Sequence, residues 1–338
     1  MSTSRSIALL GGQSTGKSTY LGALGDALKA EELRHLRLAG LEGDARGLQR
    51  LSEPLHEGHY PPRTTSNERL ELVARLRTHG TYFESLSFTL RAGDYDGEEV
   101  ERLFRDRLRQ WTSEWRQRAL ADGLLLLVRP NDAVRQPRSN SESHPNDMAR
   151  WRMLHQREII PASPGLQTQS TSARADNFFG SFSIEEVPPA PLAAPSDPVL
   201  IPTDLALVEL LQFIRNVRDL APGVRPRNKE RFRVALVVTA WDAISKEWRE
   251  AGPNRFLAHH LPLLQDYLWS NFLQDDIFRF GLSATGGDLR NPEYSQKYMD
   301  APEGFVEWQD LGGPIRKSPD IGLPLYWLLF GDRALSAP

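Results

Sequence analysis

The feature that most constrains the fold of this chain is a glycine-rich turn near its N-terminus, in the stretch SIALLGGQSTGKSTYLGAL. Residues 6–10 form an apolar run of strand length, and residues 18–28 carry apolar side chains at helical spacing. The turn between them, residues 11–18, reads GGQSTGKS and matches the pattern G-x-x-x-x-G-K-[ST]. A strand, this turn and a helix in succession predict a phosphate-binding loop.

Each residue type in this loop has a chemical role. Glycines allow successive backbone N–H groups to turn inward around phosphate oxygens. The helix that begins at Lys17 directs the positive end of its dipole at the same anion. We expect Lys17 to bridge the β- and γ-phosphates and the hydroxyl of Ser18 to ligate Mg²⁺. The full set of candidate phosphate-binding residues is Gly11, Gly12, Gln13, Ser14, Thr15, Gly16, Lys17, Ser18 and Thr19.

The composition argues against several classes of protein. The 338 residues are 40% hydrophobic, which is enough for a large core. The formal net charge of −3 predicts no general attraction to nucleic acid or to an anionic membrane. The chain has no cysteine, so disulfides and thiolate chemistry are excluded. No stretch approaches the roughly 20 apolar residues of a membrane helix, and the first apolar run is too short for a signal peptide. We therefore expect a cytoplasmic protein.

The rest of the chain alternates between predicted strands and helices. A β-hairpin is predicted from the strand patterns at 69–77 and 83–91, and covered strands are predicted at 123–128, 233–238 and 277–282. Helical patterns occupy 98–119, 203–220, 256–272 and 323–330. Residues 29–60 are polar and mixed, and residues 287–323 resemble loops. This order predicts an α/β fold of three layers, with a mostly parallel sheet and one antiparallel strand from the hairpin.

Two further motifs could complete the phosphate site. Asp94 and Gly97, in the segment DYDG, follow the second hairpin strand. A carboxylate there can hold a Mg²⁺-bound water, and a glycine N–H can contact a γ-phosphate, so that the segment moves when this phosphate leaves. Before the hairpin, Thr64 or Thr65 in PPRTT could close over the Mg²⁺ from its open side. The alternatives are an ordinary Asp-Gly turn and a proline loop whose threonines bond their own backbone.

Two later segments could bind the base. The segment TAWD, which ends in Asp242, closes the strand at 233–238. A carboxylate at this place could accept both the N1–H and the exocyclic NH₂ of guanine, and adenine offers no such pair of donors. In the segment FGLSATGG, backbone N–H groups from Ser283 and Ala284 onward could meet the guanine O6. Alternatively, Asp242 begins a turn with Trp241 in the core, and the second segment is an ordinary polar turn.

Taken in order, the five motifs resemble the series of the Ras-like P-loop GTPases related to translation factors. GGQSTGKS resembles their phosphate loop, PRTT their first switch, DYDG their D-x-x-G, TAWD (from Thr239) their [NT]-K-x-D, and SAT their S-A-[KL]. More narrowly, DYDGE, GLLLLVRPN and GLPLYWLL resemble the bacterial double-GTPase group, whose genes tend to lie beside a second GTPase in conflict or defence systems. The resemblance implies a switch that binds GTP or GDP with Mg²⁺ and has a protein partner.

This resemblance covers the whole chain except residues 130–200. It implies that residues 1–129 are the first part of a GTPase domain, with the phosphate loop and switches, and that residues 201–338 are the second part. Residues 130–200 are rich in Pro, Ser, Asn and Gln, which predicts an insertion that is either a disordered linker or a partner-binding segment. Its aromatic cluster at 177–182 is the best docking candidate.

The chain departs from the family pattern at two positions. Glu98 follows the DYDG glycine, where Ras-like enzymes often have a glutamine that orients the attacking water. We therefore expect slow hydrolysis that a partner accelerates. Ala240 replaces the lysine whose stem lies on the guanine face, which weakens binding unless Trp241 or a Pro–Arg segment covers the base. Arg63 is a candidate internal arginine finger, and a solvated loop arginine is the alternative.

Two other functions are compatible with these residues. The phosphate loop would equally suit a small-molecule or nucleotide kinase that uses ATP, with a lid drawn from Arg129, Arg135, Arg138, Arg150 and Arg152. A first hairpin strand running parallel to the N-terminal strand would favour this kinase. Glu98 and Ala240 would also suit a scaffold that holds the nucleotide without hydrolysing it.

Overall fold

A computed structural model describes residues 5–12, 14–42, 45–62, 70–78, 86–94, 113–129, 203–220, 232–310 and 313–335. The chain divides into two compact units, one formed by residues 1–135 with 201–338 and the other by residues 136–200. All of the described residues belong to the first unit. The aromatic cluster at 177–182 lies outside them, and the domain boundaries expected from the composition stay predictions.

The strands of the first unit form one nine-stranded sheet with the order β2-β3-β4-β1-β5-β6-β7-β8-β9. Their bounds are β1 Arg5–Gly11, β2 Leu36–Glu42, β3 Leu70–Thr78, β4 Ser87–Asp94, β5 Gly123–Val128, β6 Arg233–Thr239, β7 Ile277–Ser283, β8 Phe305–Gln309 and β9 Ile315–Ser318. The five central strands, from β4 to β7 in this order, are parallel to one another. Among the described strands, β3 and β8 run against the others.

Helices cover both faces of this sheet. In the described residues they are α1 Lys17–Lys29, α2 Ala45–His56, α3 Ser113–Ala119, α4 Thr203–Leu220, α5 Lys246–His260, α6 Pro262–Asn271, α7 Pro292–Asp300 and α8 Leu323–Phe330. None of these helices combines the length and apolar character needed to cross a membrane.

Alternation along the central strands builds a core on each side of the sheet. Ile7 and Leu9 point to the side of α1, α2 and α8, whereas Ala8 and Leu10 point to the side of α3 to α6. Every residue of β5 is buried, as expected for a parallel strand that is covered on both faces. These two cores confirm the predicted three-layer α/β fold with a mostly parallel sheet.

The direction of the hairpin strands agrees with the GTPase hypothesis. β3 is antiparallel to β4, and β4 is parallel to β1, so β3 runs against the N-terminal strand. This is the antiparallel strand predicted from the hairpin. β8, at the other side of the sheet, is a second antiparallel strand that the sequence did not predict.

The structure differs from the sequence interpretation in three stretches. Residues 29–60 contain β2 and α2, and β2 forms because it pairs with β3, a contact that its own mixed pattern does not reveal. Residues 287–323 contain α7, β8 and β9 in addition to loops. The single helix expected at 256–272 is two helices, which begin at Lys246 and Pro262. The break falls at Leu261, directly before Pro262, because proline has no N–H to donate to the preceding turn and disfavours helical backbone in the residue before it.

Candidate nucleotide-binding site

The carboxyl ends of the central strands meet at one edge of the sheet. In parallel α/β sheets this edge is where ligands bind. The segments that leave the sheet at this edge include the candidate phosphate loop after β1, Asp94 at the end of β4, Arg129 after β5, Thr239 at the end of β6 and Ser283 at the end of β7. The fold therefore gathers motifs that are up to 272 residues apart in the chain, from Gly11 to Ser283.

The phosphate loop is a tight turn that requires glycine at specific positions. Gly16 has φ of 76°, in the left-handed region, where a side chain is strained. A Cβ atom on Gly11 would lie 2.6 Å from Oγ1 of Thr15 and 3.0 Å from the carbonyl oxygen of Leu127. The hydroxyl of Thr15 in turn donates to the carbonyl of Gly12 at 2.9 Å. The loop is thus closed on itself and packed against β5.

Lys17 brings a positive charge into this loop. Its side chain is buried, and Nζ donates to the carbonyl oxygens of Gly11 (3.0 Å) and Gly12 (2.8 Å). α1 begins at the same residue, and no described side chain caps its N-terminus. The first N–H groups of a helix have no partner within the helix, and they attract anions together with the helix dipole. The loop therefore suits the phosphates of a nucleotide.

Two side chains from neighbouring strands hold the loop in place. The buried hydroxyl of Thr239 donates to the carbonyl oxygens of Thr15 (2.8 Å) and Val128 (3.3 Å). Nη1 of Arg129 donates to the carbonyl oxygen of Ser14 at 2.8 Å. The resemblance implied a role for Thr239. Arg129 was named only as part of a kinase lid, although its position directly after the buried strand GLLLLV was a usable signal.

Trp241 does not cover a base, contrary to the possibility raised by the sequence. Its side chain is completely buried, and its ring packs edge-on against Phe256 with centroids 5.7 Å apart. Nε1 of Trp241 donates to Oε2 of Glu307 at 2.7 Å. An indole with a satisfied N–H at the centre of the core is fixed there.

Asp242 follows Trp241 in a short 3₁₀ turn and is half-buried. Its carboxylate forms no hydrogen bond or ion pair with the described part of the chain. The carboxylate is nevertheless close enough to Tyr60 and Tyr294 for its charge to help raise the pKa of both hydroxyls, although burial is the larger cause. A half-buried carboxylate in this position can accept hydrogen bonds from a ligand.

Side-chain hydrogen bonds stabilise the turn after β7. The buried hydroxyl of Ser283 accepts a hydrogen bond from the N–H of Gly286 at 2.8 Å. The hydroxyl of Tyr294, on α7, donates to the carbonyl of Thr285 at 2.8 Å. Ala284 lies between them and is half-buried. These bonds hold the backbone of the predicted base-recognition turn in one conformation.

Tyr60 ties the segment before PPRTT to this turn. Its hydroxyl accepts from the N–H of Leu289 (3.2 Å) and donates to Oδ1 of Asp288 (3.3 Å). Arg290 binds both carboxylate oxygens of Asp288 and, as the main cause, lowers the pKa of that carboxyl to about 2. The sequence interpretation missed Tyr60, because its partners lie more than 220 residues away.

Comparison with known proteins decides the family. A family model described as Double-GTPase 1 matches residues 8–328. The chain belongs to the Double-GTPase 1 family. It is also similar in structure to the signal recognition particle receptor SRb-GTP/SRX complex from Chaetomium thermophilum, with 10% identity over 89% of this chain and 99% of that chain, and a TM-score of 0.34. No curated protein matches the sequence.

Membership of the Double-GTPase 1 family confirms both the general and the narrower resemblance of the sequence. It implies binding of GTP and GDP, and GTPase activity in general. The ATP-dependent kinase is therefore no longer needed to explain the phosphate loop.

The residues at this edge also suit the Mg²⁺ that GTPases typically use. Ser18 lies in the first turn of α1, beside the phosphate loop. The parallel pairing of Leu9 with Ala92 puts Asp94 at the same level of the sheet as Gly11. Hydroxyl and carboxylate oxygens are ligands that Mg²⁺ accepts, together with phosphates and water. The roles of Ser18 and Asp94 as ligands of this ion stay predictions.

Several predicted site residues lie outside the described residues, and their roles stay predictions. They are Gln13, Arg63, Thr64, Thr65, Gly97 and Glu98, together with the lid arginines from Arg135 to Arg152. Thr19 is described and lies half-buried in the first turn of α1.

Proposed function

We propose that this protein is a molecular switch that binds GTP with Mg²⁺ and hydrolyses it slowly unless a protein partner assists. The observation that carries the proposal is the shared sheet edge. A closed phosphate loop with a buried Lys17 lies there with a half-buried Asp242 that has no hydrogen-bonding partner among the described residues. The phosphate loop suits the triphosphate, and Asp242 suits the guanine.

The residues divide the chemistry between them. Lys17 and the first N–H groups of α1 hold the β- and γ-phosphates. Ser18 and Asp94, with Thr64 or Thr65, would hold Mg²⁺, which would neutralise phosphate charge when bound. Glu98 orients the attacking water less well than a glutamine, because its carboxylate adds negative charge beside a triphosphate. This is our reason for expecting slow hydrolysis, with Arg63 as a candidate cation in cis.

The switching part of the proposal concerns the segments around Thr64 and around Asp94–Gly97. Bound GTP orders them, and hydrolysis releases them, so that a partner can distinguish the two states. The partner we propose is a second GTPase encoded nearby, in the cytoplasm of a bacterium and within a conflict or defence system. This setting comes from the resemblance to the bacterial double-GTPase group. With a net charge of −3, nucleic acid is not proposed as a partner.

Nucleotide competition tests the assignment of Asp242. Unlabelled GTP, ATP or XTP competes with labelled GTP for the wild type and for two variants, Asp242→Asn and Asp266→Asn. The second variant is the control, because the side chain of Asp266 is exposed on α6. We expect the wild type to prefer GTP over ATP by about 10⁴-fold, as sites built on paired hydrogen bonds do. The Asp242→Asn variant should prefer XTP, because an amide N–H can donate to the C2 carbonyl of xanthine.

Displacement by ATP as effective as displacement by GTP in the wild type would refute the guanine assignment.

Phosphate release tests the second half of the proposal, which is slow hydrolysis that a partner accelerates. The purified chain should release phosphate from GTP slowly, and an extract of the source cells should accelerate this, whereas Lys17→Ala should show neither. Bound GTP without release in either condition would favour the non-hydrolysing scaffold.

A further inference from the structure

Position 240 offers no cover for a base. Ala240 directly follows β6 with φ of 49°, and its side chain is a single methyl group. Trp241, the next residue, is completely buried and bonded to Glu307. The face of a nucleoside that lies beside this turn would therefore contact no long side chain from the TAWD segment. Any cover for this face must come from another segment, and the end of the neighbouring strand β5 is the one that the described residues offer.

Arg129 comes from the neighbouring strand end. β5 and β6 are parallel, and Val128 pairs with Val238, so Arg129 and Thr239 leave the sheet side by side. The hydroxyl of Thr239 contacts the carbonyl of Val128, which immediately precedes Arg129. The guanidinium of Arg129 extends to the carbonyl of Ser14 in the phosphate loop. The side chain thus lies between the strand end that leads to Ala240 and the phosphate loop.

The charge of Arg129 is available to a ligand. The side chain is half-buried and forms no ion pair with any described carboxylate. Its described hydrogen bond is to a neutral carbonyl, at 2.8 Å. A guanidinium is planar and only weakly hydrated, and it stacks on aromatic faces more readily than an ammonium does.

We infer that Arg129 lies against the face of the guanine base and replaces the long cationic side chain that position 240 lacks. The inference rests on the proposed binding of GTP and adds a residue that determines the affinity for the nucleoside. Consider a nucleotide that binds its phosphates in the loop at Lys17 and the edge of its base at Asp242. Its nucleoside then lies between these two residues. Arg129 and Ala240 are the residues that leave the sheet in that interval.

A base-binding role differs measurably from a role in shaping the phosphate loop. If Arg129 contacts the base as well as the Ser14 carbonyl, Arg129→Ala weakens the binding of GTP by a larger factor than that of inorganic tripolyphosphate. If Arg129 only holds the Ser14 carbonyl, both ligands lose affinity together. The two ligands are compared in the presence of Mg²⁺ by competition against a fluorescent GTP analogue. Arg255→Ala is the matched control, because Arg255 is exposed on α5.

We expect Arg129→Ala to weaken GTP binding about tenfold more than it weakens tripolyphosphate binding, a factor between those of an exposed and a desolvated cation–π contact. Arg129→Gln, which removes the charge but keeps a polar side chain of intermediate length, should behave in the same way and serves if the alanine variant does not fold. Adding Ala240→Lys to Arg129→Ala should restore most of the GTP affinity. Residue 240 already carries a Cβ in the left-handed region, so the lysine adds little backbone strain.

Equal losses for GTP and tripolyphosphate would overturn the inference, as would unchanged GTP binding in Arg129→Ala. A double variant that stays as weak as Arg129→Ala would also overturn it, since the two positions would then not be equivalent. A wild-type chain that binds no GTP would refute the proposed function itself and the inference with it. A larger loss for GTP than for tripolyphosphate, together with recovery of GTP binding in the double variant, would support both.

Discussion

Replacement of Thr239 by valine should loosen the phosphate loop at almost constant side-chain size. The hydroxyl of Thr239 is buried and donates to the carbonyl oxygens of Thr15 (2.8 Å) and Val128 (3.3 Å). Valine puts a methyl group in the place of this donor. The carbonyl of Thr15, which belongs to the loop itself, then loses its hydrogen bond from β6.

The magnitude follows from the burial of this contact. Leaving a buried hydrogen-bond acceptor without its donor destabilises a protein by about 1–3 kcal/mol. We therefore expect Thr239→Val to lower the free energy of unfolding by about 1–2 kcal/mol. For a domain of this size the melting temperature should fall by roughly 2–8 °C. If the loop must be ordered again when a nucleotide binds, the same free energy weakens GTP binding by about 5- to 30-fold.

Chemical denaturation and titration with GTP measure the two effects separately. Thr239→Ser is the control, because it retains the hydroxyl and removes only a methyl group. We expect the serine variant to bind GTP like the wild type. Unchanged stability and affinity in Thr239→Val would refute the claim that this hydroxyl holds the loop. Equal losses in both variants would also refute it, because the serine variant retains the hydroxyl.

Two further predictions concern the fold around the site. Gly11→Ala should lower the free energy of unfolding by about 1–3 kcal/mol, because the new Cβ would lie 3.0 Å from a backbone carbonyl of β5; thermal unfolding measures the loss. His35 is buried, and this burial lowers the pKa of its imidazole to about 4. In the unfolded chain this imidazole binds a proton near pH 6.5, whereas in the native state it stays neutral until about pH 4. The free energy of unfolding should therefore fall by about 3 kcal/mol as the pH falls from 6.5 to 4.

Each of these predictions has a matched control. Gly12→Ala places its Cβ no closer than 3.9 Å to another atom and should leave the stability unchanged. Similar losses in both glycine variants would contradict the argument from the Gly11 contact. His35→Gln should remove most of the loss of stability between pH 6.5 and 4, whereas His59→Gln, at an exposed position, should retain it. A wild-type chain with no loss of stability over this range would contradict the assignment to His35.

The sequence was informative wherever structure is encoded locally. The strands at 123–128 and 233–238 were predicted almost to the residue, because strands covered on both faces are continuously apolar and bounded by turns. The phosphate loop was recognisable because its glycines and Lys17 meet backbone requirements within eight residues. β2, β8 and β9, which lie at or next to the edges of the sheet, were missed because such strands are stabilised by pairing with a neighbour more than by their own pattern.

Local pattern by itself therefore determined the phosphate loop, the α/β class and the position of Asp242 at the end of a buried strand. Only the tertiary structure decided which side chains surround these motifs. Burial removed Trp241 from the candidates for covering a base, and the parallel register of β1 and β5 brought Arg129 to Ser14, across 115 residues of chain. Such contacts depend on which strands are neighbours in the sheet, and strand order is set by the packing of the whole chain rather than by any one segment.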